Sequence, residues 1–143
     1  MFRRSVRAFS LIELMIVVAV IAILATFAMI NYNRYGFRTR RADGREMLLR
    51  TAAAEERYFT NFNTYTADLT DPPTAGGLGF TNGTSESGYY VVTAVIANGG
   101  ATYTLTATPQ GGQVGDTCGN LSISDTGVKL PVGTNGGNNG NCW

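Results

Sequence analysis

Few residues in this chain have types that do chemistry, and one of them is oddly placed. Glu13 is the single charged residue in the 22-residue run Phe9–Ile30, FSLIELMIVVAVIAILATFAMI. A carboxylate at the centre of a lipid-embedded helix costs about 2.5–3.5 kcal/mol on insertion scales, so a glutamate retained there points to a role. The other candidates are two cysteines, Cys118 and Cys142, and one lysine, Lys129. There is no histidine, so the commonest general base is missing. No His/Cys cluster has the spacing of a zinc site. No glycine-rich loop runs into Lys-Ser/Thr to cradle phosphates. The expectation is a chain that is not an enzyme and uses no metal and no cofactor.

Glu13 must be positioned by the segment around it. A helix of 22 residues is roughly 33 Å long, enough for a bilayer core of about 30 Å. The preceding residues, MFRRSVRA, carry Arg3, Arg4 and Arg7 and no acid, which keeps that end cytoplasmic. A secretory signal also begins with a basic stretch, but this apolar run is longer than such a signal's core and no small-residue site closes it. The chain divides into a basic leader (1–8), an apolar half-helix (9–30), an amphipathic half-helix (31–59) and a head (60–143). Little more than a hundred residues lie beyond the apolar run, enough for one modest core.

From Asn31 to about Phe59 there is no proline, and Arg, Ala, Leu, Met and Glu dominate; all favour helix. Met47, Leu48, Thr51, Ala52, Tyr58 and Phe59 fall on one face, with Glu46, Arg50, Ala53 and Arg57 opposite, which makes a single core-facing stripe. Glu55 sits inside that stripe, so its carboxylate is expected to meet backbone N–H groups of a following loop. Gly36 and Gly44 are the points where the helix is free to bend. Asn61, Asn63 and Thr64 compete for backbone groups and end it.

Residues 70–88, with Pro72 and Pro73 and the glycines Gly76, Gly77 and Gly79, read as a loop; Asn82-Gly83-Thr84 within it is a weak glycosylation triplet. Strands follow. Tyr89–Ile96 is aromatic and β-branched, and Asn98-Gly99-Gly100 is a hairpin turn. Ala101–Thr108 alternates, with Ala101, Tyr103, Leu105 and Ala107 on one face and threonines on the other; Pro109 ends it. Asn120–Ser124 is a third strand with Leu121 and Ile123 inward, and Val128–Leu130 a short fourth. Their inward faces have only the helix stripe to rest on. The fold class is α+β: one long N-terminal helix packed on a four-stranded antiparallel sheet.

Charge is divided along the chain. Residues 34–50 hold six arginines against Asp43 and Glu46, a net +4, and residues 51–143 hold Arg57 and Lys129 against seven acids, a net −5. The basic stretch has the chemistry for lipid headgroups or nucleic acid, or for a solvated helix face with pairs such as Glu46–Arg50.

RAFSLIELMIVVAVIAILA resembles the N-terminus of type IV prepilins. The resemblance implies cleavage between Ala8 and Phe9, N-methylation of Phe9, and a subunit-docking role for Glu13, the fifth residue after the cut; it also implies that the basic stretch and the acidic head complement one another in charge between neighbouring subunits. Two departures stand out: Ala8 replaces the usual glycine before the cut, and Ala22 and Ile30 occupy places where main pilins often carry a helix-breaking Gly and Pro. AAAEERYFTNFNTYTADL (52–69) and TCGNLSISDTGVK, with the terminal Cys-Trp, are similar to the PilE-type minor pilins. On this resemblance the head is periplasmic and then extracellular, where Cys118 and Cys142 oxidise to each other. The bridge closes a loop of about 25 residues, a stabilisation of about 3–3.5 kcal/mol, and pins the tail GTNGGNNGNCW.

The implied function is a minor pilin of a type IV pilus, contributing to assembly and to pilus-dependent motility or adhesion. The implied partners are the prepilin peptidase/N-methyltransferase, major and minor pilins, the inner-membrane assembly machinery, and membrane lipid before assembly. The implied course runs from a single-pass inner-membrane protein to a subunit of the extracellular pilus. The alternatives are a major structural pilin, a pseudopilin of type II secretion, and a DNA-uptake pilin. Nucleic acid is not the expected partner of so acidic a head unless a local basic patch exists.

Overall fold

The computed structural model describes residues 9–131 and 141–143, with the backbone alone at 29–31 and 33. The leader, including Ala8, lies outside the described residues. Low glycine content and the lack of proline carry one helix, α1, from Leu11 to Phe62. Its stretch Leu11–Ala28 is long and apolar enough to cross a membrane. The chain forms two compact units, one ending at Arg34 and the other spanning Tyr35–Trp143.

In the second unit α1 ends three residues beyond Phe59. Thr60 and Asn61 do not break it, because each donates its side chain to the helix carbonyl four residues back, Glu56 at 2.8 Å and Arg57 at 2.9 Å. Asn63 ends it instead, at φ 54°, with its N–H on the Phe59 carbonyl at 2.7 Å. A left-handed residue just past the last turn is a common helix stop. A loop then leads to the sheet: β1 (Tyr90–Ala97), β2 (Thr102–Pro109), β3 (Leu121–Ser124) and β4 (Lys129–Leu130). The strands run antiparallel in the order β1-β2-β3-β4. Pro109 does not end β2 from outside; it is the strand's last residue, opposite Tyr90. Ala101 lies before the strand and is exposed.

Register puts alternate residues of three strands on one face. Val92 opposes Ala107, Leu105 opposes Ile123, and Ala107 opposes Leu121. All five are buried, and they share one core with Met47 and Leu48 of α1, Tyr90, Tyr103 and both cysteines. The pleat alternation thus delivers to the helix the face that the sequence pattern assigns to it.

Gly44 is not a bend point. An added Cβ there would lie 2.7 Å from a ring carbon of Tyr90, so the glycine is what allows the aromatic ring of β1 to lie flat against the helix backbone. Its neighbour Asp43 fastens the loop before β1: the carboxylate accepts the Ser85 hydroxyl at 2.5 Å and the Ser87 N–H at 3.1 Å.

Candidate functional site

The assembly end of the chain is simple. Phe9 and Ser10 precede α1, and Glu13 lies in its first turn, its N–H on the Ser10 carbonyl at 3.1 Å. The large side chains around it, from Phe9 to Phe27, are apolar and exposed. A row of exposed leucines, isoleucines and valines calls for an apolar surrounding, in which a carboxyl is either neutral or paired.

The head is closed by a Cys118–Cys142 disulfide, which is buried in the core. What fastens this closed loop to α1 is a buried ion pair. Arg41 on the helix meets Asp116 with both side chains wholly inaccessible to solvent. Arg41 Nε donates to Asp116 Oδ2 at 2.5 Å and Nη2 to Oδ1 at 2.7 Å, a two-pronged match of guanidinium to carboxylate. The third nitrogen, Nη1, donates to the Asn141 carbonyl at 2.8 Å. Asp116 stands two residues before one half-cystine and accepts the N–H of Cys118 at 3.3 Å. Asn141 stands immediately before the other. One arginine therefore holds both ends of the disulfide-closed segment. Gln113, itself buried, donates Nε2 to Asp116 at 2.9 Å and to the Tyr90 hydroxyl at 3.0 Å, extending the network to β1.

Sequence reasoning placed Arg41 among six arginines and had no reason to single it out. A signal was present in the spacing. Residues 41, 44, 48, 51 and 55 are all buried and are spaced three and four apart, the period of a core-facing stripe. Arg41 continues that stripe one turn beyond its apolar part.

The other end of the stripe carries Glu55, also fully buried. Its Oε2 accepts the Thr66 N–H at 3.1 Å, as the loop contact required, while Oε1 has no partner among the described residues. Burial pushes its carboxyl up to about 7; the Thr66 N–H opposes the shift and the neighbouring Glu56 adds to it. Glu56, more exposed, accepts hydrogen bonds from Tyr65 at 3.1 Å and Tyr103 at 3.2 Å. Burial first, and this carboxylate second, raise the Tyr103 phenol above its ordinary range.

Two further arginines of the basic stretch, and the lysine of the head, lie on rings. Arg40 lies over Tyr89 at 4.8 Å, and Arg50 over Phe80 at 5.5 Å rather than on Glu46. Lys129 lies over Trp143 at 5.3 Å, and the Trp143 indole N–H donates to the Leu130 carbonyl at 2.7 Å. Arg45, Arg50, Lys129, Leu49 and Trp143 line an open groove of about 750 Å³ with Glu46 as its acid. Two of these cations belong to the basic stretch of α1 and one, Lys129, to the acidic head. No group of acids and cysteines among the described residues is arranged to hold a metal.

Comparison with known proteins gives consistent matches. A family model described as "Type IV minor pilin ComP, DNA uptake sequence receptor" matches residues 31–122, and one for the prokaryotic N-terminal methylation motif matches residues 3–29. A fimbrial protein of Dichelobacter nodosus is 33% identical over 127 residues, 89% of this chain and 76% of that protein. A type IV major fimbrial protein FimA of the same organism is 34% identical with the same coverage. A solved type IV pilin from Shewanella oneidensis is similar with a TM-score of 0.54 and 26% identity, covering 75% of this chain and 97% of that one.

Two predictions follow from the buried charges. Arg41→Ala leaves Asp116 buried without its partner and is expected to cost about 3–5 kcal/mol, whereas Arg41→Met with Asp116→Leu is expected to recover most of that. Denaturant unfolding of the full chain in detergent measures both; a double variant as unstable as the single would contradict the pairing argument. Folding raises the Glu55 carboxyl from 4.5 to about 7, so the folded state holds this proton more tightly than the unfolded chain. Its stabilising contribution is full below about pH 4.5 and is lost as pH rises through about 7, by up to about 3 kcal/mol. Glu55→Gln is expected to flatten that part of the stability–pH curve, and an unaltered curve would show that another group titrates.

Proposed function

The chain belongs to the type IV pilin family, a family of structural rather than catalytic subunits, and from that premise we propose that it is a minor pilin. The methylation motif at residues 3–29 implies processing by a prepilin peptidase and association with other pilins. The apolar helix anchors the chain in a membrane before its transfer to the pilus. The observation that carries the minor role is the match of residues 31–122 to the minor-pilin model. The absence of helix breakers at Ala22 and Ile30 agrees with it, while the fimbrial relatives from Dichelobacter nodosus keep a major role as the rival.

In this reading the peptidase cuts between Ala8 and Phe9, Phe9 becomes the methylated N-terminus, and Glu13 docks against the amine of a neighbouring subunit. The carboxylate lies in hydrocarbon before assembly, and an amine at one axial height relieves it. The pairing therefore selects a single register between subunits. The inner-membrane assembly machinery and the orientation, N-terminus inward and head periplasmic, belong to the same reading.

A second reading is favoured by the groove. Three cations around an indole match the phosphate and base chemistry of nucleic acid, and the matched family description names a DNA uptake sequence receptor. The groove supplies a local basic patch, Arg45 and Arg50 coming from α1 and Lys129 from the acidic head.

In sheared pili, quantitative mass spectrometry is expected to find the wild-type chain well below the major subunit, with its N-terminus at Phe9. The ratio of protein in pili to protein in membranes is expected to fall for Glu13→Gln and further for Glu13→Ala, with the disulfide intact in both. A ratio equal in all three would remove Glu13 from docking, and stoichiometric abundance would make the chain a major pilin. For the second reading, duplex DNA binding by the full chain is expected to weaken in Arg45→Ala and Lys129→Ala, each lowering the salt slope by about 1. Binding indifferent to both substitutions would exclude the groove.

A further inference from the structure

A smaller cavity, of about 230 Å³, lies at the end of α1, where the helix meets the loop after it. Its size is below the roughly 300–1,000 Å³ of a drug-sized pocket and suits a single ring. Ala54, Leu78 and Pro73 form its apolar lining together with the rings of Tyr58 and Phe62. Those two rings lie 4.5 Å apart, tilted by 32°, and Phe62 is about half exposed at 47%. Helix geometry produces this arrangement, since residues four apart share a face.

The same face carries polar groups that the fold leaves unused. Asn61 spends its amide nitrogen on the Arg57 carbonyl, so its side-chain oxygen is left as an acceptor. Among the described residues the Tyr58 hydroxyl and the Arg57 guanidinium have no hydrogen-bond partner. Arg57 is exposed and can only donate, so it calls for an anion. Asn61 calls for a donor. The rings call for a flat face of polarised C–H bonds, which their negative π-clouds attract.

We propose that this cavity binds a carboxylated sugar residue, a hexuronic acid or similar acidic saccharide unit. A pyranose carboxylate meets the Arg57 fork, a ring hydroxyl donates to Asn61, a second hydroxyl exchanges with Tyr58, and one face of the ring lies on Phe62. A benzoate lacks the donors, a phosphate lacks the face, and a neutral sugar leaves Arg57 without an anion. This surface role goes beyond filament assembly and is independent of whether the chain is a minor or a major subunit.

The test is ligand-observed NMR on the full chain in detergent micelles with methyl β-D-glucuronide, methyl β-D-glucoside and free phenylalanine. The glucuronide is expected to bind about tenfold more tightly than the glucoside, the scale of one charge-assisted pair. Arg57→Gln is expected to abolish that difference and Arg57→Lys to reduce it. Phe62→Ala is expected to weaken both sugars and leave their ratio. Absence of saturable binding, equal affinity for the two glycosides, or a preference that survives Arg57→Gln would overturn the proposal. Phenylalanine binding more tightly than the glucuronide would also overturn it, since the site would then read a zwitterion.

Discussion

The head of this pilin depends on one buried ion pair. Arg41 and Asp116 belong to segments 75 residues apart, and neither side chain touches solvent. Burying two charges is costly, and the pair is tolerable only because the guanidinium is satisfied by a carboxylate and a backbone carbonyl together. That requirement fixes the geometry of everything nearby. Asp116 must arrive with Cys118, Asn141 must arrive with Cys142, and Gln113 and Tyr90 complete the ring of donors and acceptors around the carboxylate. The disulfide limits how far the tail can wander, but a disulfide alone does not say where the closed loop sits. The arginine on α1 does that, and an apolar contact could not do it with the same directionality.

The parts of the fold written in short-range pattern were legible in the sequence. Alternation in ATYTLTAT fixed the inward face of β2, and the stripe Met47, Leu48, Thr51 fixed the buried face of α1. The contact of Glu55 with a loop N–H followed from its position alone, because a buried carboxylate needs a donor. What pattern could not show was long-range pairing. Asp116 sits in a glycine-rich turn region with no periodicity, and Arg41 lies in a run of arginines whose charge suggests a solvated face. Gly44 misled for a related reason. A helix glycine reads as a flaw until the Tyr90 ring that needs its missing Cβ is in place. The end of α1 was misjudged because Asn61 folds back on its own helix rather than competing with it. The groove and the cavity were illegible for the same reason as Arg41: each gathers residues from segments far apart in the chain.

The acids of this chain meet burial in different ways, and the differences bear on function. Asp116 is paired internally. Glu55 is held in a site where burial raises its carboxyl to about 7, and it meets that cost with the Thr66 N–H and a more tightly held proton. Glu56 stays at the surface and orders two tyrosines. Glu13 has no countercharge within the apolar half-helix that carries it: apart from Ser10 and Thr26 the neighbours along Phe9–Ile30 are apolar, and none of them carries a positive charge. Elsewhere a compact fold has supplied each buried acid with a partner or a proton. A segment that exposes its apolar side chains all round has no fold of its own to do so. In the reading proposed above, the compensation comes from a second subunit, and the filament stands in the same relation to Glu13 as the head does to Asp116. In that reading the unpaired state is tolerable for a monomer in a membrane, at about 2.5–3.5 kcal/mol, and it favours pairing with a neighbouring subunit over remaining alone.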